Sequence, residues 1–267
     1  MMDVRGKVLV VTGGGNGIGR QVVLEALRRG GCVAAVDIRR ESLEGTVRLA
    51  SAGDRLVTFV VDITDRAAVE ALPARVTEAL GPPDVVVNVA GIIQPFVRLN
   101  DLEYETIERV LSVNLWGTIH VVKAFLPYLL NRPEAHLATV SSMGGFLPVP
   151  GQTIYGATKA AVKLMTEGLY AELLETHVGV SVVMPGGVET DIASNSDVDA
   201  PGSGNAQGSR LPTTTPEEAA RVILDGIQKN RLHIYVGRDS VAMGILNRAA
   251  PKLSTHLIQH QMKTLLP

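Results

Sequence analysis

Between Lys7 and Leu27 the chain passes from a mostly apolar, partly β-branched run into a glycine-dense turn, Thr12-Gly-Gly-Gly-Asn-Gly-Ile-Gly19, and then into an amphipathic stretch. Lys7 to Thr12 has the character of a central parallel strand, buried on both faces. Ile18, Val22, Val23, Ala26 and Leu27 would form the inward side of a helix. Gly13, Gly17 and Gly19 make a G-x-x-x-G-x-G pattern. Strand, glycine turn and helix in that order are the context of a dinucleotide-binding fingerprint. Glycines let the backbone approach a pyrophosphate, and the helix N-terminus attracts it. The plain alternative is a flexible turn with no ligand.

The alternation then repeats. Cys32–Val36 reads as a second strand ending at Asp37, about 20 positions after the glycine turn, where an acidic residue can bond ribose hydroxyls or merely begin a turn. Cys32 itself reads as a small buried apolar residue. Ser42–Ala52 is expected to be helical, Leu56–Val61 a strand closed by Asp62, and 65–80 a helix with Thr64 as its N-cap. Asp62 could bond an adenine amino group or serve only the turn. Val85–Val89 is a fourth strand running into Asn88-Val89-Ala90-Gly91. Tyr104–Leu130 is a long helical region with a kink expected near Gly117 or Pro127. Inside it lies Asn114, a polar amide in an apolar stretch that needs partners, either backbone or a water leading toward Lys159. His136–Ser141 and Val180–Met184 are strands flanking a helix over 155–176, and Pro185-Gly-Gly-Val-Glu-Thr190 is an irregular turn at the end of the second. Residues 190–212, rich in Gly, Ser, Asp, Asn and Pro, read as a substrate lid. Thr215-Pro216-Glu217-Glu218 combines an N-cap, a proline at N1 and a capping-box glutamate. His233–Val236 is a last short strand, followed by a C-terminal extension over 238–267 broken at Pro251. Seven strands alternating with helices argue for one doubly wound sheet and for one domain over 1–267.

The chemistry is expected between Ser142 and Lys159. Tyr155 and Lys159 stand four apart at the start of a helix, so both lie on one face. A neighbouring ammonium favours a phenolate, which would bring Tyr155 toward proton exchange with an alcohol or carbonyl oxygen. Ser142 follows an apolar strand, at the end of the sheet where such folds bind ligands. Ile92, Ile93, Phe96, Met143, Phe146, Leu147 and Val149 flank this region without an arginine or lysine among them, which predicts a mainly apolar substrate.

Composition narrows the partners. A net charge of -2 and pI near 6.3 give no basic footprint for nucleic acid. No apolar run is read as long enough to cross a membrane, and the N-terminus has no signal-peptide core. Cys32 is the one cysteine, so no intramolecular disulfide forms and a reducing compartment fits; the expected location is cytoplasmic. His256 and His260 share a helix face without an accompanying glutamate, which reads as two surface or interface histidines and no metal site.

Taken together, these residues resemble the classical short-chain dehydrogenase/reductase family, from about Gly6 to Gly237. Thr12 to Gly19 is similar to its cofactor signature, Asn88 to Gly91 to its Asn-Asn-Ala-Gly element, and Pro185 to Thr190 to its Pro-Gly-x-x-x-Thr turn. Asn114, Ser142, Tyr155 and Lys159 match its catalytic tetrad. Val89 departs from the pattern, where a second asparagine is common. The resemblance implies a Rossmann-type seven-stranded parallel sheet of order 3-2-1-4-5-6-7. It also implies dimers or tetramers assembled through the helices that hold Asn114 and Tyr155. Tyr155 would be the general acid/base, and Lys159 would bond the nicotinamide ribose and lower the Tyr155 pKa. Ser142 would orient the substrate oxygen, and Asn114 would support a water relay. Gly13, Asn16, Gly17, Ile18, Gly19, Asp37, Asp62, Ile63, Asn88, Ala90, Gly91, Pro185, Gly186, Val188 and Thr190 would line the cofactor, with Tyr155 and Lys159. The expected function is NAD-dependent hydride transfer to or from a secondary alcohol or ketone. The alternatives are a cofactor-binding regulatory or scaffold protein on the same fold and an NADP-dependent carbonyl reductase.

Overall fold

A computed structural model describes residues 2–190, 192–196, 198 and 213–262. Seven parallel strands form one sheet: β1 (Val8–Thr12), β2 (Cys32–Asp37), β3 (Leu56–Val60), β4 (Val85–Asn88), β5 (Ala135–Val140), β6 (Val178–Pro185) and β7 (His233–Val236). Their order is β3-β2-β1-β4-β5-β6-β7, as the family resemblance implies. The reversal between β1 and β4 is the point at which open α/β sheets bind ligands.

The strand sequences are apolar at nearly every position because both faces are covered. Successive side chains point to opposite faces, so Leu9 and Val11 enter one core and Val8 and Val10 the other. The first core is closed by α1 (Gly17–Arg28), through Val22, Val23 and Ala26, and by α8 (Pro216–Gln228), through Ile223, Leu224 and Ile227. The second is closed by α3 (Arg66–Leu80), through Val69, Leu72 and Val76, and by α5 (Gly117–Leu130), through Val121, Phe125 and Leu129. Each such fully buried side chain contributes roughly 1.5–3 kcal/mol. Thr215 caps α8 by accepting from Glu218 N, with Pro216 at N1. Cys32 is only partly buried, because β2 begins at the rim of the sheet.

Two local expectations are corrected. The cap of α3 is Asp65, whose side chain accepts from Ala68 N; Thr64 instead gives both its N–H and its hydroxyl to Asp62 Oδ1 at 2.8 Å. The helix over 104–130 is interrupted by a π-helical turn, Ser112–Trp116, between α4 (Tyr104–Leu111) and α5. There Gly117 N reaches back to Ser112 O, and Thr118 Oγ1 donates to Asn114 O at 2.7 Å, a back-bond that bends helices. By length and composition Tyr104–Leu130 reaches membrane-spanning size, contrary to the sequence reading. Its apolar side packs on the sheet and α3.

One buried histidine ties acid stability to the sheet. His136 on β5 is 2% exposed. Its Nε2 lies 2.8 Å from Ser181 Oγ, which donates to Arg231 O at 2.6 Å. Burial holds its pKa down at about 4. Below an ordinary histidine pKa the unfolded chain takes up a proton that the folded chain refuses, so stability falls from pH ~6.5 toward 4, by up to about 3 kcal/mol. The stability difference between the unchanged protein and His136→Gln, from urea unfolding, should therefore shrink by that amount between neutral pH and pH 4. A difference that stays constant would show that His136 is charged when folded.

Candidate active site

A cavity of about 810 Å³ opens along the C-terminal ends of β1, β2, β4, β5 and β6. It is lined by Gly13, Asn16, Gly17, Ile18 and Gly19 from the glycine turn and α1, and by Asp37, Asp62 and Ile63 from the ends of β2 and β3. Ala90, Gly91 and Ile92 follow β4, Ser142 follows β5, Tyr155 and Lys159 come from α6 (Thr153–Glu172), and Pro185, Gly186, Val188 and Thr190 belong to the turn that closes β6. Of the expected site residues, Asn88 and Asn114 are buried just behind this surface, each 2% exposed or less.

The glycine turn is held from behind. Thr12 Oγ1 donates to Asn88 Oδ1 at 2.6 Å and accepts from Val89 N and Ala90 N, at 3.0 and 3.2 Å. Asn88 Nδ2 then donates to Thr118 Oγ1 at 2.9 Å. Val89 contributes through its backbone N–H and packs its side chain on the core, so an apolar residue fits where an asparagine is common. A Cβ at Gly19 would strike Gly13 O and lie 2.6 Å from Gly13 C, so only glycine lets α1 start this close to the turn. Asn16 caps α1 by accepting from Gly17 N at 2.8 Å. At the far end, Asp37 Oδ2 accepts from Gly15 N and Oδ1 from Arg39 N, each at 3.0 Å. Each carboxylate oxygen keeps acceptor capacity, and Arg39 lines the cavity beside it. Asp62 serves the turn by accepting from Thr64, and it also lines the cavity.

The Asn114 and Lys159 side chains meet at Gly91. A Cβ there would stand 3.1 Å from both Asn114 Oδ1 and Lys159 Nζ. Asn114 is fully buried and its amide brackets Ile92: Oδ1 accepts from Ile92 N and Nδ2 donates to Ile92 O, both at 2.9 Å. Backbone bonding is thus the role seen for Asn114. Lys159 is 4% exposed; its Nζ donates to Val140 O at 3.0 Å and lies 5.8 Å from the Tyr155 ring centroid. Burial lowers the Lys159 pKa to about 8.

The Tyr155 phenol departs from expectation. Desolvation in the cleft pushes its pKa up, and a hydrogen bond with Ser142 pulls it back in part. The Lys159 ammonium lies over the ring and donates to the Val140 carbonyl. Ser142 Oγ also accepts from Gly144 N at 3.0 Å, which fixes its rotamer at the mouth of the cavity.

Of the apolar residues expected to wall the substrate, Ile92 lines the cavity, whereas Leu147 is fully buried in the core. The lid expected over 190–212 lies mostly outside the described residues. Its described part includes α7 (Ile192–Asn195); Asn195 Oδ1 accepts from Asn16 Nδ2 at 3.4 Å, and Ser196 Oγ from Ile93 N at 3.0 Å. Sequence reasoning missed Arg109, which lines the cavity, and Gln94. Arg109 lies three residues before Ser112, one helical turn from the cavity lining, so its spacing carried a signal. Gln94 stood in no periodic pattern.

The cradle fits a nicotinamide dinucleotide: a glycine-rich turn, a helix N-terminus that suits a pyrophosphate, and the Asp37 carboxylate at the end of β2. Comparison with known proteins agrees. The family model for short chain dehydrogenases matches residues 7–200. The chain is 35% identical to a Mycobacterium tuberculosis strain H37Rv protein described as an oxidoreductase, SadH, over 93% of this chain and 92% of that one. It is 33% identical to 2,3-dihydro-2,3-dihydroxybenzoate dehydrogenase of Bacillus subtilis strain 168, over 71% and 72%. A crystal structure of a short chain dehydrogenase/reductase from Burkholderia phymatum in complex with NAD superposes with a TM-score of 0.84 at 27% identity, covering 95% of this chain and 96% of that one.

Proposed function

This chain belongs to the short-chain dehydrogenase family, and on that premise we propose that it is an NAD-dependent oxidoreductase of a mainly apolar secondary alcohol or ketone. The observation that carries this reading is the convergence of Ser142, Tyr155 and Lys159 on one cavity with the glycine turn. The nicotinamide, when bound, exchanges a hydride with the carbinol carbon. Tyr155 gives or takes the proton at the substrate oxygen, and Ser142 holds that oxygen by a hydrogen bond. Lys159, charged below about pH 8, has donors beyond the one given to Val140 O, and these would bond the nicotinamide ribose. Glycines and helix α1 would hold the pyrophosphate, and Val188 and Thr190 would hold the carboxamide. Assembly as a homodimer or homotetramer through α4, α5 and α6 is supported by Trp116 and Leu164, exposed at 56% and 71%.

The test is a panel of secondary alcohols with NAD, and of ketones with NADH, followed by absorbance of the reduced cofactor. Turnover that rises with alkyl or ring size is expected, since each buried methylene adds about 0.8 kcal/mol. A preference for sugar phosphates or hydroxy acids would overturn the substrate class.

NAD over NADP follows from Asp37. A 2′-phosphate would bring negative charge beside a carboxylate already oriented by Gly15 N and Arg39 N. At about 5 Å and an effective dielectric near 20, each unit pair repels by roughly 3 kcal/mol. Arg39 and Arg40 oppose this from exposed positions, where solvent screens them. The expected preference in kcat/KM is at least about tenfold, narrowed in Asp37→Ala. Equal use of both cofactors would show that the arginines neutralise the phosphate.

A further inference from the structure

The loop after β4 reaches the start of α6 through one side chain. Gln94 is fully buried. Its Oε1 accepts from Ile154 N and from Tyr155 N, both at 2.9 Å. Its Nε2 donates to Gly151 O at 3.0 Å, and its own carbonyl accepts from Gln152 Nε2 at 2.7 Å. The first turn of any helix leaves N–H groups without intrahelical partners, and a side chain at the N-cap usually takes one of them. Here the N-cap residue, Gln152, makes no such bond. The cap comes instead from a residue 61 positions before Tyr155. The two residues before Gln94 are held as well, Ile92 by the Asn114 amide and Ile93 by Ser196 Oγ.

We infer that Gln94 is a positioning residue for Tyr155. By capping the backbone N–H of the tyrosine itself, it sets where the phenol stands relative to Ser142 and Lys159, and it joins that setting to the Ile92–Ile93 segment. The inference rests on the reading of Tyr155 as the acid/base. Without the acceptor, two N–H groups at the partly buried start of α6 lose their partner and the first turn moves to find another. A displacement near 1 Å at a reacting group costs on the order of 10²-fold in rate. Gln94 does not line the cavity, so cofactor affinity should not follow.

Two substitutions test this. Gln94→Met keeps length and bulk but has no acceptor. Gln94→Glu keeps an acceptor for both N–H groups and loses the donor to Gly151 O. Each is assayed with NAD and the secondary alcohol that the unchanged protein turns over best, beside Tyr155→Phe. Gln94→Met should lower kcat by about 10–100-fold with KM for NAD unchanged, and Gln94→Glu should recover a large part of that loss. An unchanged kcat in Gln94→Met overturns the inference. So does a parallel loss of NAD affinity, or a Gln94→Glu protein no better than Gln94→Met. If Gln94→Met does not fold, Gln94→Glu decides: near-normal kcat supports a capping acceptor, and a loss as deep as that of Tyr155→Phe overturns it. Should no alcohol be turned over, the readout is the phenol titration of Tyr155, taken as the ultraviolet difference from Tyr155→Phe. Its midpoint must move in Gln94→Met and lie nearer that of the unchanged protein in Gln94→Glu; an unmoved midpoint in Gln94→Met, or an equally large shift in Gln94→Glu, overturns the inference. Full turnover by Tyr155→Phe would instead sink the acid/base reading, whereas an inactive Tyr155→Phe beside an unaffected Gln94→Met would sink the Gln94 inference alone.

Discussion

Tyr155→Phe is expected to bind NADH with unchanged affinity and to lose turnover by about 10²–10⁴-fold or more. The substitution removes one oxygen and leaves the ring, which faces the open cavity. The deleted hydroxyl is the atom that shares a hydrogen bond with Ser142, and on the proposed mechanism no other described side chain stands ready to move the proton. Lys159 is bonded to Val140 O, and Asn114 is engaged by the Ile92 backbone. Because Ser142 Oγ also accepts from Gly144 N, the loop should keep its shape in the variant. The measurements are a fluorescence titration with NADH and kcat with the best alcohol of the panel. Near-normal kcat would end the assignment of Tyr155.

Gly19→Ala is expected to weaken NADH binding by about tenfold or more while lowering stability. The added methyl would collide with Gly13 O and approach Gly13 C to 2.6 Å. Those atoms belong to the backbone of the turn and cannot swing aside as a flexible side chain would. Either α1 retreats from the turn or the turn opens, and both distort the cradle and the helix N-terminus that faces it. Overpacking of this kind costs typically 1–3 kcal/mol, and a chain of this size loses roughly 2–4 °C in Tm for each kcal/mol. Gly19→Ala with unchanged Tm and unchanged NADH affinity would show that the turn has slack that the geometry denies.

Much of the fold was legible because its signals are local and periodic. The apolar runs of β1, β4 and β6 announce strands covered on both faces, and Val22, Val23 and Ala26 recur at helical spacing. The seven-strand alternation then leaves few topologies, since parallel strands need right-handed crossovers. The local errors have local causes. Asp65 outcompeted Thr64 as a cap because Asp62 had already drawn Thr64 into a turn. The π-helical turn at Ser112–Trp116 comes from tertiary bonds to Asn114 and Thr118 that leave no mark in the apolar pattern.

The sequence by itself determined the order of strands and helices, the glycine turn at the first of them, the Asp37 carboxylate at the end of the second, and the four-residue spacing of Tyr155 and Lys159. All of these rest on backbone preference, periodicity or neighbours within a few positions. Only the tertiary structure decided how the site is held. It placed Gln94 against Tyr155 N and Asn114 against Ile92, and it brought Thr12 to the turn after β4 across 76 positions or more. It also placed Tyr155 in a desolvating cleft and turned the Lys159 ammonium toward the Val140 carbonyl. A hydrogen bond between residues so far apart needs only one donor and one acceptor, which nearly every stretch of chain supplies. Which pair meets is settled by packing, and packing is a property of the whole sheet and its helices.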